Sequence, residues 1–425
     1  MCRTARSVEG TLIVVGNEVL YGDVVDINTS TIGKTLFQEG FLIARSLILS
    51  DNRSELAKAI RYWHHRSDFL ITTGGLEPAT NNVICDALCD AFGLQQVRNR
   101  AYCETFRKRI NDAGLSWADE TEWMAYLPEG AVELTMDRPY MGFRMVVENK
   151  PLYCLPGVPT EVAYLVEREV LPDLKNHYPE RTCFRRRIIR VQRLSEWEVA
   201  KRVGKLDLAA VGVGYLSRIE GETWVTLTVC ADNGNKADEF LNEAERRVVN
   251  AIGRKFVSGK DGEELEKVVG DMLRSRGMKL AVAESCTGGM LAARIISVPG
   301  ASDYFERGYI VYSNKAKVEE LGVNPDVLER YGAVSEQTAR AMAVGAKEKA
   351  GVDVALGITG IAGPTGGTRE KPVGTVFIGC ACDDRTVVEH HVLRGERQIV
   401  QMRSVQAALR LLWELLAHDS SIHSS

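Results

Sequence analysis

The chain has 425 residues, of which 45% are hydrophobic and 26% charged, and its formal net charge is −4 at pH 7. This composition is typical of a globular protein with several domains, and the net charge argues against a general binder of nucleic acids or membrane surfaces. Ten cysteines without paired CxxC spacing favour free thiols over a zinc site or a disulfide framework. No apolar run approaches the roughly 20 residues of a membrane span, so we expect a cytoplasmic protein.

Residues 9–172 are predicted to form an α/β domain, because strand and helix patterns alternate there. The patterns place strands at Thr11–Val15, Leu42–Leu49 and Phe69–Thr73 and helices at Thr29–Gly40 and Leu56–His65. The loops Gly16–Gly22 and Gly74–Pro78 follow two of these strands. Open α/β sheets bind ligands at the carboxyl ends of their strands, so we expect any amino-terminal ligand to lie at these loops.

Residues 173–257 are predicted to form a smaller α+β connector, after a boundary near Pro172. The patterns place strands at Arg187–Arg193 and Thr223–Cys230 and helices at Ser195–Val203 and Lys236–Ile252. The arginines between Arg181 and Arg193 suggest a nucleic-acid partner, yet Gly212-Val-Gly214 lacks the GxxG spacing that clamps the backbone in RNA-binding KH domains. We therefore expect a structural or interdomain role and no nucleic-acid partner.

Residues 259–418 again alternate between helix and strand patterns, which predicts a second α/β domain. Helices are placed at Glu263–Arg276, after Asn314 and from Ser335 through Val344, and strands are placed up to Tyr312 and at Lys279–Ala283, Val354–Ile358 and Val376–Ala381. A glycine-rich loop, Thr359–Gly367, offers backbone donors that suit a phosphate. Arg397 is a candidate partner for a phosphate or carboxylate, and the alternative is an ordinary surface arginine.

A strand, a turn of small residues and a helix start meet at Ala283-Glu-Ser-Cys-Thr-Gly-Gly289. Such a turn places a hydroxyl beside free backbone N–H groups, which can hold an oxyanion or a phosphate. Ser285 is therefore a candidate nucleophile. The alternatives are that Ser285 and Thr287 only cap the helix, or that Cys286 is the nucleophile because a helix N-terminus can lower the pKa of a thiol.

A serine nucleophile needs a base, and no histidine lies in a glycine-rich motif, so a Ser–His–Asp triad has little support. Lys317 is the candidate base, five residues after Tyr312 and one turn into a helix. Such a lysine must be neutral near pH 7, which needs a desolvated site or a nearby cation. Tyr312 is a candidate to relay the proton or to orient the lysine. The alternatives are a solvated Lys317 that pairs with Glu320 and a Tyr312 that packs in the core.

Five amino-terminal motifs resemble the molybdopterin-binding-like domain of the CinA family, which has a MoaB/MogA-like α/β fold. They are Gly16–Gly22, Asp26-Ile-Asn28, Asp51-Asn52, Thr73–Leu76 and Leu155–Pro159. In some members this domain hydrolyses ADP-ribose with a divalent metal ion. The connector of these relatives resembles a KH-type fold, which the resemblance implies here for residues 173–257.

The amino-terminal motifs depart from the family pattern at two places. Asn81 and Asn82 stand where the pattern has aspartates, and only the last two residues of a second family loop survive in Thr135–Phe143. Hard divalent cations prefer charged oxygen ligands, so the resemblance implies a retained fold with lost or weakened pyrophosphatase chemistry. A carboxylate cluster for a divalent metal ion remains open, and the alternative is a set of solvated loop acids. Its candidate members are Glu18, Asp23 and Asp26.

Seven carboxy-terminal motifs are similar to the nicotinamide mononucleotide deamidase domain of the CinA family. They are Glu284–Gly289, Phe305–Gly308, Tyr312–Lys317, Gly332–Glu336, Thr359–Pro364, Gly366-Gly367 and Lys371–Thr375. The resemblance implies a three-layer α/β domain that converts nicotinamide mononucleotide and water into nicotinate mononucleotide and ammonia. It implies Ser285 as the nucleophile and Tyr312 and Lys317 as its partners. It also implies a small nucleotide as substrate, no metal or organic cofactor, and a homodimer.

The expected substrate contacts surround this catalytic group. They are Thr287, Gly288, Gly289, Asn314, Thr359, Gly360, Ile361, Ala362, Gly363 and Arg397. The N–H groups of the first three are expected to hold the oxyanion, and the second glycine-rich loop is expected to hold the 5′-phosphate. Two other functions stay open at this point: a metal-dependent ADP-ribose pyrophosphatase in the amino-terminal domain, and a non-catalytic nucleotide-binding scaffold.

Overall fold

The computed structural model describes most of the chain. The described residues are 7–76, 82–112, 114, 125–134, 142–208, 210–218, 221–231 and 233–418. The chain divides into two compact units, the first formed by residues 1–186 with 228–241 and the second by residues 187–227 with 242–425. The three-domain division at 9–172, 173–257 and 259–418 stays a prediction. Within the described residues, every helix is too short or too polar to cross a membrane.

The first unit contains a six-stranded sheet flanked by helices. Its elements are β1 Val8–Val15, α1 Asn17–Leu20, α2 Asn28–Gln38, β2 Phe41–Leu49, α3 Arg53–Arg66, β3 Phe69–Thr73, α4 Val83–Phe92, β4 Gln96–Arg98, α5 Arg100–Asp112, β5 Tyr126–Pro128, β6 Val132–Glu133, β7 Phe143–Val147, β8 Lys150–Leu155, α6 Pro159–Leu165 and α7 Leu171–His177, with a π-helical turn at Val166–Val170. The strand order is β2-β1-β3-β8-β7-β6, and β4 pairs with β5 in a separate ribbon. The first four strands are parallel, whereas β7 runs antiparallel to β8 and β6 antiparallel to β7.

Both faces of this sheet are covered, which explains why β1 and β3 read as almost continuous apolar runs. Along β1, Leu12 and Val14 belong to one buried cluster and Ile13 and Val15 to the other. The predicted strand Phe69–Thr73 is confirmed, and the neighbouring elements differ from prediction by a few residues at their ends. The Gly16–Gly22 segment, predicted as a loop, contains the short helix α1.

A four-stranded sheet follows. Its elements are β9 Cys183–Val191, α8 Glu196–Val203, β10 Val211–Ser217, β11 Thr223–Ala231, α9 Gly234–Ile252 and β12 Val257–Lys260, with a 3₁₀ turn at Arg254–Phe256. The strand order is β10-β11-β9-β12. A capping box of Ser195 and Glu198 starts α8. Buried and half-buried residues alternate along β11, as expected for a strand with one covered face.

The second unit contains a five-stranded mixed sheet. Its further elements are α10 Leu265–Ser275, β13 Leu280–Glu284, α11 Met290–Ile296, β14 Phe305–Ile310, α12 Asn314–Leu321, α13 Pro325–Tyr331, α14 Glu336–Ala350, β15 Val354–Gly360, β16 Thr375–Cys382, β17 Arg385–Val392 and α15 Arg397–His418, with a 3₁₀ turn at Ala301–Asp303. The strand order is β14-β13-β15-β16-β17. The first three strands are parallel, and β16 and β17 are antiparallel to their neighbours.

Helices cover both faces of the five-stranded sheet. Leu280 and Val282 of β13 join a cluster with α10, α11 and α15, whereas Ala281 and Ala283 join one with α12 and α14. Helix α14 lies very close to the sheet: a Cβ added at Gly357 or Gly379 would come within 2.8 Å of the Ala339 carbonyl oxygen. These two glycines therefore allow the helix to pack directly on the strands. The predicted strands and helices are present, and the long helix α15 is one that the sequence patterns did not predict.

Candidate active site

The site lies where three parallel strands end at the same edge of the sheet. Strand β13 is the central one, and its last residue, Glu284, pairs with Ile310 of β14 and with Ile358 of β15. Ser285 follows directly, and its N–H donates to the Ile358 carbonyl oxygen at 3.0 Å. The loops after β14 and β15 begin beside it. This is the edge at which open α/β sheets place ligands.

Lys317, on α12, meets Ser285 in the interior. Its side chain is buried, and Nζ lies 3.0 Å from Ser285 Oγ. Nζ also lies 2.8 Å from the Val311 carbonyl oxygen and 3.1 Å from that of Tyr312. Burial lowers the pKa of Lys317 below its usual value of 10.5. A neutral amine can donate its two hydrogens to the carbonyls and accept the Ser285 hydroxyl proton, which is the arrangement that a general base needs.

The turn after Ser285 is held by a buried carboxylate that the sequence analysis did not single out. Glu284 accepts hydrogen bonds from the N–H groups of Gly289 at 3.1 Å, Leu291 at 3.0 Å and Ala292 at 2.8 Å. Gly288 and Gly289 have φ values of 60° and 101°, a region that disfavours side chains. Glu284 therefore satisfies the free donors at the start of α11 and locks the turn.

The backbone donors of this turn are not equally available to a substrate. The Gly288 N–H donates to the Ser285 carbonyl oxygen at 3.3 Å, and the Gly289 N–H donates to Glu284. Among the described residues, no acceptor lies within hydrogen-bond reach of the Thr287 N–H, and the buried Thr287 Oγ1 also has no partner. Of the three N–H groups expected to hold the oxyanion, those of Gly288 and Gly289 are already engaged, and that of Thr287 remains the candidate donor.

Cys286, the rival nucleophile, is directed into the core. Its side chain belongs to the cluster formed with α10, α11 and α15, and burial raises the pKa of its thiol to about 12. A thiol with such a pKa is protonated and unreactive at neutral pH. Its carbonyl oxygen accepts from Gln401 Nε2 at 2.7 Å, so α15 helps to hold the turn. Sequence patterns gave no signal for Gln401, because α15 itself was not predicted.

The second glycine-rich loop is braced by its own contacts. Thr359 Oγ1 donates to the Ala333 carbonyl oxygen at 2.6 Å, and the Ile361 N–H donates to the Thr375 carbonyl oxygen at 2.8 Å. The exposed Arg397, at the start of α15, donates to the Gly363 carbonyl oxygen at 2.9 Å. Among the remaining expected contacts, Gly360 is half-buried and Ala362 is buried. Arg397 is thus attached to the loop that sequence reasoning assigned to a phosphate.

Two of the expected site residues present their side chains to solvent. Tyr312 is 65% exposed, and its contact with Lys317 is made by its carbonyl oxygen. Asn314 is exposed at the first position of α12. The structure therefore brings together Ser285, Lys317 and Thr287, and it places the Tyr312 ring at the surface rather than in the core.

The amino-terminal motifs converge on a buried amide. Asn28 Nδ2 donates to Thr73 Oγ1 at 3.1 Å and to the Gly157 carbonyl oxygen at 2.9 Å, which ties three of the motif loops together. Asn82 Oδ1 accepts from the Cys85 N–H at 3.4 Å and caps α4. Asn81 and residues 135–141 lie outside the described residues. The candidate carboxylate ligands of a metal ion in this region are Glu18, Asp23 and Asp26. Within the described part of the chain, their oxygens do not lie close enough together to form a group of three metal ligands.

Comparisons with known proteins match both α/β parts. Residues 262–416 match the CinA C-terminal domain, and residues 11–176 match a probable molybdopterin binding domain. The chain therefore has an amino-terminal α/β part that matches the family of probable molybdopterin binding domains, and a carboxy-terminal mixed α/β part that matches the CinA domain.

The relatives extend this match over nearly the whole chain. A CinA-like protein of Syntrophobacter fumaroxidans is 41% identical over 418 residues, which cover 98% of each chain. A putative competence-damage inducible protein of Moorella thermoacetica is 35% identical over 95% of this chain and 98% of its own. The chain belongs to the CinA family. The crystal structure of a competence-damaged protein (CinA) superfamily protein from Klebsiella pneumoniae is 34% identical, covers 37% of this chain and 99% of its own, and has a TM-score of 0.36.

Proposed function

We propose that the carboxy-terminal domain hydrolyses the carboxamide of nicotinamide mononucleotide, giving nicotinate mononucleotide and ammonia. The observation that carries the proposal is the buried contact between Lys317 Nζ and Ser285 Oγ at 3.0 Å. Membership of the CinA family supports the choice of substrate, since its C-terminal domain is the one associated with this deamidation.

The first half of the reaction forms an acyl-enzyme. Ser285 Oγ attacks the carboxamide carbon while neutral Lys317 takes the hydroxyl proton. The N–H of Thr287 donates to the oxyanion that develops, and one such donor is typically worth about 3–4 kcal/mol of barrier. Lys317 then gives its proton to the leaving nitrogen. The C–N bond breaks, and ammonia departs.

The second half releases the product. Lys317, neutral again, takes a proton from a water molecule that attacks the ester carbon. The tetrahedral intermediate collapses, the ester C–O bond breaks, and the proton on Lys317 returns to Ser285 Oγ. The product acid releases its remaining proton to solvent and leaves as a carboxylate. One lysine thus moves the proton in both directions, and the Val311 and Tyr312 carbonyls hold it in place.

The nucleotide part of the substrate is assigned to the second glycine-rich loop. We place the 5′-phosphate against backbone donors of Thr359–Gly363 and beside the Arg397 guanidinium, which already contacts the Gly363 carbonyl. Asn314 and Tyr312 are exposed at the adjacent helix start and are proposed to contact the ribose or the ring. The deamidase needs no metal or organic cofactor in this scheme.

Ammonia release from nicotinamide mononucleotide tests the choice of nucleophile. Ser285→Ala is expected to lower kcat by at least about 1,000-fold, because the attacking hydroxyl is lost. Cys286→Ala, a change at the adjacent position, is expected to retain most of the activity. The opposite pattern in the two variants would contradict the assignment.

The remaining parts of the chain are given supporting roles. We propose a KH-type connector without a nucleic-acid partner, a homodimer in the cytoplasm, and an amino-terminal domain whose pyrophosphatase chemistry is lost or weakened. Release of AMP from ADP-ribose in the presence of a divalent metal ion, abolished by a chelator, would contradict the last of these. Light scattering of the purified chain tests the dimer.

A further inference from the structure

Three potential metal ligands meet in the first unit, where the end of helix α3 approaches the turn between β7 and β8. They are His64, His65 and Glu148, and one ligand atom of each lies within 4.8 Å of the others. A Glu148 oxygen lies 3.2 Å from His65 Nδ1 and 4.0 Å from His64 Nδ1. Within the described part of the chain, this is the one group of three or more such side chains that lie so close together.

His64 is a buried polar side chain whose ring nitrogens are not satisfied by hydrogen bonds. Its ring is fully enclosed, with Phe92 packed edge-on at 5.0 Å, and within the described residues neither ring nitrogen makes a hydrogen bond of normal length and angle. An unpartnered buried polar group costs about 1–3 kcal/mol. The Nδ1 atom of His64 faces the Glu148 carboxylate.

We propose that His64, His65 and Glu148 bind one divalent transition-metal ion of the zinc class. Imidazole nitrogen with a single carboxylate is the ligand set that Zn²⁺ and its neighbours prefer, whereas Mg²⁺ and Ca²⁺ favour oxygen ligands throughout. A bound ion would supply the enclosed His64 ring with a partner of normal geometry.

The group can close around an ion with small movements. Zinc binds nitrogen and oxygen ligands at about 2.0–2.2 Å in a tetrahedron, so the three ligand atoms, now within 4.8 Å of one another, must approach by up to about 1.5 Å. The side chains of His65 and Glu148 are 46% and 58% exposed and are free to adjust. Glu148 and Asn149 have φ values of 49° and 61°, which form the tight turn that presents the carboxylate.

The surroundings leave a fourth position open to solvent. A polar cleft of about 320 Å³ lies beside His65 and is also lined by Glu9, Asp68 and Lys150. Lys150 Nζ donates to the carbonyl oxygens of His64 and His65, both at 3.0 Å, so it caps the end of α3. The positive charge of Lys150 disfavours a bound cation, and the negative charge of the Glu148 carboxylate offsets this effect.

This group is separate from the amino-terminal motif loops. Strands β1 and β3 are parallel, and the Gly16–Gly22 segment with Glu18 follows the carboxyl end of β1. His64 and His65 instead precede the amino end of β3, which begins at Phe69. The proposed ion therefore lies at the opposite edge of the sheet from those loops.

Metal titration of the full-length, chelator-treated chain tests the proposal. Calorimetry with Zn²⁺ is expected to give a site that His65→Ala and Glu148→Gln each weaken by at least about tenfold, since even supporting residues of metal sites cost that much. Both changes are at exposed positions, so circular dichroism should show an unchanged fold. His390→Ala, which removes an exposed imidazole from the second unit, is the matched control and should bind as the wild type does.

Cobalt gives an independent readout of the ligands. Co²⁺ in a tetrahedral nitrogen and oxygen site absorbs strongly in the visible range, and this absorption should be present in the wild type and the control and absent from both variants. Mg²⁺ should not displace it. Absence of Zn²⁺ binding by the wild type, equal binding by the variants, or displacement by equimolar Mg²⁺ would overturn the proposal.

Discussion

At the residue scale, the chemistry depends on one lysine that is kept from water. Lys317 is 1% exposed and contacts two carbonyl oxygens and the Ser285 hydroxyl. Among the described residues no carboxylate forms an ion pair with it, so the cost of burying its charge is not offset by an opposite charge on a carboxylate. The same burial that destabilises the ammonium form makes the neutral amine available as a base at lower pH than in a solvated lysine.

The pH dependence of turnover follows from this burial. Because burial lowers the pKa of Lys317 below 10.5, the base form is present at lower pH than for a solvated lysine. Values of kcat/KM should therefore rise with pH and level off below 10.5, and they should fall about tenfold per pH unit once the lysine is mostly protonated. Stopped assays of ammonia over a pH series measure this. A profile that is flat in acid, or that levels off only above 10.5, would contradict it.

Replacement by arginine separates charge from basicity. Lys317→Arg keeps a cation but cannot give up its proton, so activity should fall by at least about 100-fold, the usual contribution of a general base. Retention of activity by Lys317→Arg would show that the side chain acts as a charge and not as a base.

The pair of Ser285 and Lys317 could be predicted from sequence, whereas their supports could not. Ser285 lies in a recognisable strand–turn–helix motif, and Lys317 lies one turn into the helix that follows the next strand. Glu284 carries no distinguishing pattern, since an acid at the end of a strand is usually solvated, and its three N–H partners exist only once the turn is folded. Gln401 is 115 residues from the carbonyl that it contacts, and local patterns do not report such distances.

At the element scale, the turn between β13 and α11 is the part that positions the nucleophile. Glu284→Gln should lower the free energy of unfolding by about 1–3 kcal/mol, because the amide replaces one acceptor oxygen with a donor that faces backbone N–H groups. Activity should fall with it, since the Ser285 turn loses its brace. Urea unfolding and ammonia release measure the two effects.

The exposed Glu306 on β14 provides the comparison for this change. Glu306→Gln removes the same charge from the neighbouring strand and should leave both stability and activity nearly unchanged. Equal effects of the two substitutions would mean that the three hydrogen bonds to Glu284 do not support the turn.

The close approach of α14 to the sheet gives a second prediction at this scale. Gly357→Ala places a methyl group 2.7 Å from the Ala343 nitrogen and 2.8 Å from the Ala339 carbonyl oxygen, so the helix must move. Overpacking of this kind typically costs about 1–3 kcal/mol. Thermal unfolding should therefore show a lower Tm for Gly357→Ala. Gly262→Ala, where the added methyl group meets nothing within 4 Å, should be close to neutral.

Element types were predicted more reliably than element limits. Buried strands such as Phe69–Thr73 and Val354–Gly360 have apolar runs bounded by loops, so they were predicted within two residues. Helix α15 was missed because it is buried on most of its circumference, with Ala407, Ala408, Leu411 and Leu412 all enclosed, and so lacks a polar face to give it a clear period.

At the scale of the whole molecule, the chain combines two α/β parts whose motif residues have different contacts. In the carboxy-terminal part, Ser285 and Lys317 meet where β13 ends at the sheet edge. The amino-terminal part keeps the fold of a molybdopterin-binding domain, and its Asn82 caps a helix. The sequence could predict both folds because each depends on local patterns, but it could not predict which side chains meet across loops.

In the proposed reaction, the buried Lys317 activates Ser285 without a metal ion to hydrolyse the carboxamide of nicotinamide mononucleotide. Ammonia release in the presence and absence of EDTA, by the wild type, Lys317→Met and Lys315→Met, tests it most directly. Lys315 lies on the same helix and is exposed, so its variant controls for loss of a lysine. Release should resist EDTA, persist in Lys315→Met and disappear in Lys317→Met. No release by the wild type, or full release by Lys317→Met, would contradict it.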